Sequence, residues 1–194
     1  MSVLERMAAL LPDTAGVNEK GHLTLGDCDV VRLAAEFGTP LYIFDEATLR
    51  RSCANFRKEF GQRYSDTLVI YAAKAFINRP LARIISTEGL GLDVVSGGEL
   101  SIAKSADFPM DKVYFHGNNK LPEEIEMAIG WGIGRIVVDN LHELALVNDV
   151  ARKAGITQDI LLRLTPGIDA HTHKYITTGV IDSKFGLPIA TGQA

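Results

Sequence analysis

The chain has 194 residues, 46% of them hydrophobic and 23% charged, a balance that excludes a disordered tail, a collagen-like fibre and a small disulfide scaffold. Its 20 basic residues face 24 acidic ones, a formal net charge of -4, so no basic field exists for gripping nucleic acid or anionic lipid and a small-molecule partner is expected. Cys28 and Cys53 form neither a disulfide framework nor a zinc knuckle, and the opening residues interleave Glu5 and Arg6 with apolar positions, giving no secretory core. No apolar run approaches the length of a membrane span. A cytoplasmic chain, neither exported nor membrane-spanning, is expected.

In chain order, HLTLGD at residues 22–27 and TPLYIFD at 39–45 read as strands flanking a short helix over 28–37, and a helix follows over 46–60. Gly38-Thr39-Pro40 separates the two halves of this accessory piece, as expected where a helix stops and an extended segment begins. From Thr67 onward, short apolar runs alternate with amphipathic stretches. The runs fall at 68–73, 90–95, 113–115, 135–138 and 160–164, and the helices at 78–88, 97–106, 121–129 and 141–154. Successive runs stand about 20 to 25 residues apart, enough for a crossover helix each time, so the strands are expected to be parallel and buried on both faces.

The first and last of these runs, LVIYAA and ILLRL, are among the most apolar, whereas edge strands are ordinarily short or guarded by charge. Both are expected to have neighbours, and GLPIATGQA at the end of the chain offers no covering helix. The fold class read from this pattern is α/β, a partial (β/α)8 TIM-type barrel of about five βα units whose remainder is missing from the chain.

In parallel β/α folds working side chains collect where strands run out into the following loops. Those positions carry Lys74, Asp93, Ser96, His116, Asn118, Asn119, Asp139, Asn140 and Arg163. Lys74 lies in YAAKAF: a lysine there is either a solvated surface group or a desolvated amine that attacks a carbonyl to form a Schiff base, with the flanking alanines leaving room for a flat ring. Asp93 sits inside a strand, where a carboxylate needs a cation, and Lys74 and Arg163 are the candidates. Arg163 interrupts an apolar strand and calls for a fixed anion, in the core or on a cofactor. His116 reads as a general base, a ring-stacking group or a structural histidine. Ser96-Gly97-Gly98 reads as a tight turn rather than a phosphate cradle, because no G-x-G-x-x-G accompanies it. His171 and His173, two residues apart with no Cys or Glu nearby, make a poor metal pair, and no metal is expected.

The strings TPLYIFDE, YAAKAF, GLDVVSGGEL, HGNNK and RLTPGIDAHTHKYITTGVIDSKFG together resemble the diaminopimelate decarboxylase family, pyridoxal-phosphate enzymes of the alanine-racemase-like fold, from Thr39 to Gly186. YAxKA and GxDVxSxxE are shared with related amino-acid decarboxylases, while HTHKYITTG and SKFG point to this family in particular. The resemblance implies that Lys74 holds pyridoxal 5'-phosphate covalently and that Asp93 and Arg163 belong to the polar network beneath it. It also implies that His116 lies close to the cofactor, whereas His171 and His173 carry no assigned duty. Residues 1–45 are then expected to contribute to a β-domain and residues 46–194 to form the first part of the cofactor-binding barrel, with the rest of the barrel and a C-terminal β-domain absent.

The implied activity is decarboxylation of meso-2,6-diaminopimelate to L-lysine by a homodimeric full-length protein, with residues 1–194 alone expected to be inactive. The alternatives are a decarboxylase acting on ornithine, arginine or carboxynorspermidine, which would lack the HTHKYITTG run, and a non-catalytic single-barrel carrier of the same cofactor, against which TPLYIFDE argues.

Overall fold

The computed structural model describes residues 6–168, 185–190 and 192. They belong to two units, Met1–Thr67 and Leu68–Ala194.

In the first unit, β1 (Gly16–Val17), β2 (Leu23–Leu25) and β3 (Cys28–Asp29) form an antiparallel meander, followed by α1 (Val30–Phe37) and α2 (Glu46–Gly61). The run HLTLGD is thus a strand only as far as Leu25. Gly26 and Asp27 have φ of 54° and 63°, the two positive values that a two-residue type I′ hairpin requires, and the chain doubles back into β3 before α1 begins. The expected strand at 39–45 is absent: residues 41–45 carry no regular secondary structure and pair with no described strand. β-propensity supplies an extended backbone, and only a neighbouring ladder turns it into a strand.

Asp29 ties this unit together. Its Oδ1 caps α1 by accepting from the Val31 and Arg32 backbone N–H groups at 2.9 and 3.2 Å, and its Oδ2 accepts from Asn18 Nδ2 at 2.9 Å with His22 Nδ1 also at 2.9 Å. The His22 bond foremost, opposed by desolvation and aided by Arg32 and Asn18, lowers the carboxyl pKa from 3.8 to about 2. A carboxyl depressed in the folded state stabilises it fully above 3.8, and that contribution is lost as the pH falls toward 2. Asp29→Asn is therefore expected to lower the melting temperature at neutral pH and to flatten the acid limb of the melting profile between pH 4 and 2, measured by circular dichroism.

The second unit holds the parallel sheet. Its strands β4 (Ile70–Ala72), β5 (Gly91–Val94), β6 (Val113–Phe115), β7 (Arg135–Val138) and β8 (Ile160–Leu162) stand side by side in sequence order. In register, Ala72 lies beside Asp93, Asp93 beside Tyr114, Tyr114 beside Arg135 and Val137 beside Leu161. Between the strands run α3 (Arg79–Thr87), α4 (Gly97–Ser105), α5 (Pro122–Gly130) and α6 (Leu141–Ala154). Asn78, Ser96 and Asn140 cap α3, α4 and α6 by accepting from Leu81, Glu99 and Glu143 N–H, so each of these helices starts crisply at the strands' carboxyl ends. Gly155, at φ 69°, closes α6.

Consecutive helices pack against one another, and beneath them Leu92, Val94, Val113, Phe115, Ile136 and Val138 are fully buried. The opposite face is open. Ile70, Ala72, Asp93, Tyr114, Val137 and Leu161 line a concavity of about 510 Å³ there, and Leu161, Leu162 and Leu164 are 44 to 47% exposed. The expectation of burial on both faces is thus corrected: with neighbouring strands joined in sequence order, right-handed crossovers put every helix on the same face.

A second correction concerns the tail. Leu187–Pro188 is not a trailing end but a strand, β10, parallel to β9 (Leu164–Thr165), with Leu187 N–H donating to Arg163 O and Ile189 N–H to Thr165 O. The Thr165 hydroxyl donates to Phe185 O in the same junction. Pairing across more than twenty residues leaves no local signal, which is why GLPIATGQA reads as a loose end.

Candidate active site

At the carboxyl edge of the sheet a cavity of about 350 Å³ is lined by Lys74, Asp93, Val95, His116, residues 117–119, Arg163 and Phe185. All four candidate residues read from the sequence meet there. Lys74 lies in a 3-10 turn, Ala73–Ala75, immediately past β4, so β4 ends just short of it; the apolar run before it leaves Lys74 exposed rather than desolvated. Asp93 comes from β5, and His116 follows β6 directly, its N–H donating to Val94 O at 2.7 Å.

The partners differ from those expected. Asp93 faces His116, with Oδ1 3.3 Å from Nδ1, rather than Lys74 or Arg163. Arg163 is held by Asp139, Nη1 donating to Oδ1 at 3.3 Å, while its guanidinium carbon lies 4.2 Å from the centre of the Phe185 ring, a stacked arrangement suited to a planar cation. Asp139 is 4% exposed and accepts a second bond from Gly186 N–H at 3.2 Å, so a buried carboxylate is satisfied from two sides. The reason is register: Asp93 lies on β5 and His116 directly follows the adjacent β6, and Asp139 follows β7, the neighbour of β8. His116 Nε2 is buried without a hydrogen-bond partner among the described residues, while Nδ1 is the ring nitrogen that faces Asp93.

Ser96-Gly97-Gly98 is not a tight turn but the start of α4, with Ser96 as its N-cap and both glycines in its first turn. Gly97 N–H donates to Glu124 Oε1 at 2.6 Å, Ser96 caps Glu99, and Val95 N–H donates to Glu99 Oε2 at 2.8 Å. A β-carbon on Gly97 would come within 3.0 Å of Glu124 and Met127. The Gly97 N–H at the start of α4 is thus occupied by a glutamate from α5.

Beneath the rim, the buried pairing of Lys120, the last residue of HGNNK, with Glu143 has no motif to announce it. Lys120 donates to Gly117 O at 2.7 Å, Val137 O at 2.7 Å and Glu143 Oε1 at 2.6 Å, and the two side chains are 0% and 6% exposed. A signal was available: Glu143, Val147, Val150 and Ala151 share the buried face of α6, and a glutamate at helical spacing on an apolar face demands a cation. His171, His173 and most of the HTHKYITTG and SKFG run lie outside the described residues.

The family model for the "Pyridoxal-dependent decarboxylase, pyridoxal binding domain" matches residues 46–194, and the chain belongs to that family. It is 50% identical over 181 residues to the diaminopimelate decarboxylase of Bacillus methanolicus, an alignment covering 93% of this chain and 42% of that protein. Among solved structures, the diaminopimelate decarboxylase of M. jannaschii superimposes with a TM-score of 0.81 at 36% identity, covering 94% of this chain and 43% of that one. The same enzyme in complex with L-lysine gives 0.81 and 36% over 93% and 42% of the two chains. The chain spans about two fifths of the length of the curated relatives it matches.

The cavity fits pyridoxal phosphate. It offers one primary amine, an apolar wall from Val95 and Phe185, an arginine, and beside them a buried imidazole nitrogen with no partner among the described residues. No described helix is long and apolar enough to cross a membrane.

Proposed function

We propose that this chain supplies the cofactor lysine and one wall of the active site to a diaminopimelate decarboxylase, which converts meso-2,6-diaminopimelate to L-lysine. The observation that carries the reading is the convergence of Lys74, Asp93, His116 and Arg163 on one cavity at the carboxyl edge of a parallel sheet. The similarity to diaminopimelate decarboxylases, one of them in complex with L-lysine, supports the substrate. The sequence-ordered strands, with a single helical layer and an open inner face, support a partial (β/α)8 barrel, since strands in that order close on themselves around such a face. Residues 1–45 contribute to a β-domain and residues 46–194 to the barrel. The full-length protein acts as a cytoplasmic homodimer.

Pyridoxal phosphate, when bound, withdraws electrons from the substrate's α-carbon so that the carboxylate departs as carbon dioxide. The chain's own residues prepare for this. Lys74 holds the cofactor's carbonyl carbon at the cavity wall. Asp93 orients His116 through Nδ1 and leaves Nε2 to hold or release a proton within the site. Arg163, fixed by Asp139 and stacked on Phe185, keeps a permanent positive charge at the rim, where it attracts a carboxylate or phosphate. Val95 and Phe185 exclude water from part of the wall.

Carbon-dioxide release from meso-diaminopimelate by the full-length protein, compared with ornithine, arginine and carboxynorspermidine, tests the assignment; preference for any of the other three overturns it. Asp93→Ala is expected to reduce kcat/KM by about 10²-fold, whereas Glu123→Ala, at an exposed position in the first turn of α5, leaves it within a factor of two or so.

A further inference from the structure

Lys120 and Glu143 lie outside the residues that line the cavity, yet they join the pieces that do. The Lys120 ammonium spends its three protons on three separate segments: the loop after β6 through Gly117 O, the end of β7 through Val137 O, and α6 through Glu143 Oε1. Glu143 in turn accepts from Asp139 N–H through its other oxygen, at 3.5 Å. Asp139 carries the connection outward to Arg163 Nη1 and Gly186 N–H. Gly117 sits at φ 109°, and a β-carbon there would meet Val95 O at 3.2 Å, so the loop turns tightly just where its carbonyl is gripped. Asn118 and Asn119, the next two residues, line the cavity.

Stability alone does not call for this arrangement. Two apolar side chains of similar volume would fill the same space without the cost of stripping water from two ions. What they would not do is fix two carbonyls and an amide at set positions around one point. We infer that the Lys120–Glu143 pair is a positioning device, which sets the loop of residues 117–119 and the Asp139–Arg163 pair at the geometry the site needs. This rests on the reading of the cavity as the cofactor site. Both are positioning residues, because neither lines the cavity.

The test uses the full-length holoenzyme and the double variant Lys120→Met/Glu143→Leu, which removes both charges and leaves no ion unpaired. Recovery of most of the melting temperature lost by Lys120→Met is expected, with kcat/KM remaining about 10²-fold below wild type and the induced circular dichroism of the bound cofactor altered. A double variant that regains stability, kcat/KM and the dichroism together overturns the inference and makes the pair merely structural.

Should the double variant not fold, Glu143→Gln keeps the shape and one acceptor oxygen, but puts an NH2 donor where the carboxylate accepted its second bond. An intact fold with cofactor affinity about tenfold weaker supports the inference, and wild-type affinity overturns it. Amide hydrogen exchange of residues 117–119 and Asp139 separates this inference from the cofactor reading. Faster exchange in Glu143→Gln than in wild type supports the anchor even if borohydride labelling falls on a lysine other than Lys74, and unchanged exchange overturns it.

Discussion

Replacing Lys74 by alanine is expected to lower decarboxylation by the full-length protein by at least about 10³-fold while leaving the melting temperature of the cofactor-free protein near that of wild type. The two halves have separate causes. Lys74 is the one lysine lining the cavity among the described residues, so its loss is expected to remove the covalent attachment of the cofactor. Its side chain is exposed and makes no ion pair with another described residue, so little folding free energy goes with it. Steady-state carbon-dioxide release and thermal melts on the same preparation separate catalytic loss from unfolding.

Lys120→Met is expected to differ by costing folding stability as well, about 3 to 5 kcal/mol, because Glu143 is then left buried without its counter-ion. Urea denaturation followed by tryptophan fluorescence measures it, Trp131 being the only tryptophan in the chain. Lys104 provides the contrast. It stands exposed with its ammonium 5.9 Å from the Trp131 ring centre, and Lys104→Met is expected to change stability by no more than about 1 kcal/mol. Equal losses for the two variants would show that the burial of Lys120 has no energetic consequence.

The alternation of strand and helix was legible because each run carries its own local signature. VYF and RIVV coincide with β6 and β7, and the helix read at 141–154 coincides with α6. A carboxyl-end cluster was legible for the same reason: once the strands are parallel, the residues that follow them share an edge. Partners within the cluster were not, since they depend on which strands are neighbours and in what register. Asp93 meets His116 because Asp93 stands beside Tyr114, two residues before the histidine. Arg163 meets Asp139 because Val138 pairs with Leu162, one residue before each of them.

Long-range pairing hid the rest. β10 joins β9 across more than twenty residues, and TPLYIFD has the composition of a strand but joins no ladder among the described residues. Lys120 was hidden differently: a lysine after a strand end looks like a surface group until the helix bringing Glu143 over it is in place.

The central claim, that Lys74 is the cofactor lysine, is tested most directly by reducing the pyridoxal-phosphate-loaded full-length protein with borohydride and mapping the labelled peptide by mass spectrometry. The pyridoxyl group is expected on Lys74, in the peptide containing YAAKAF. Label on Lys104 or Lys120, with Lys74 unmodified, would contradict the claim.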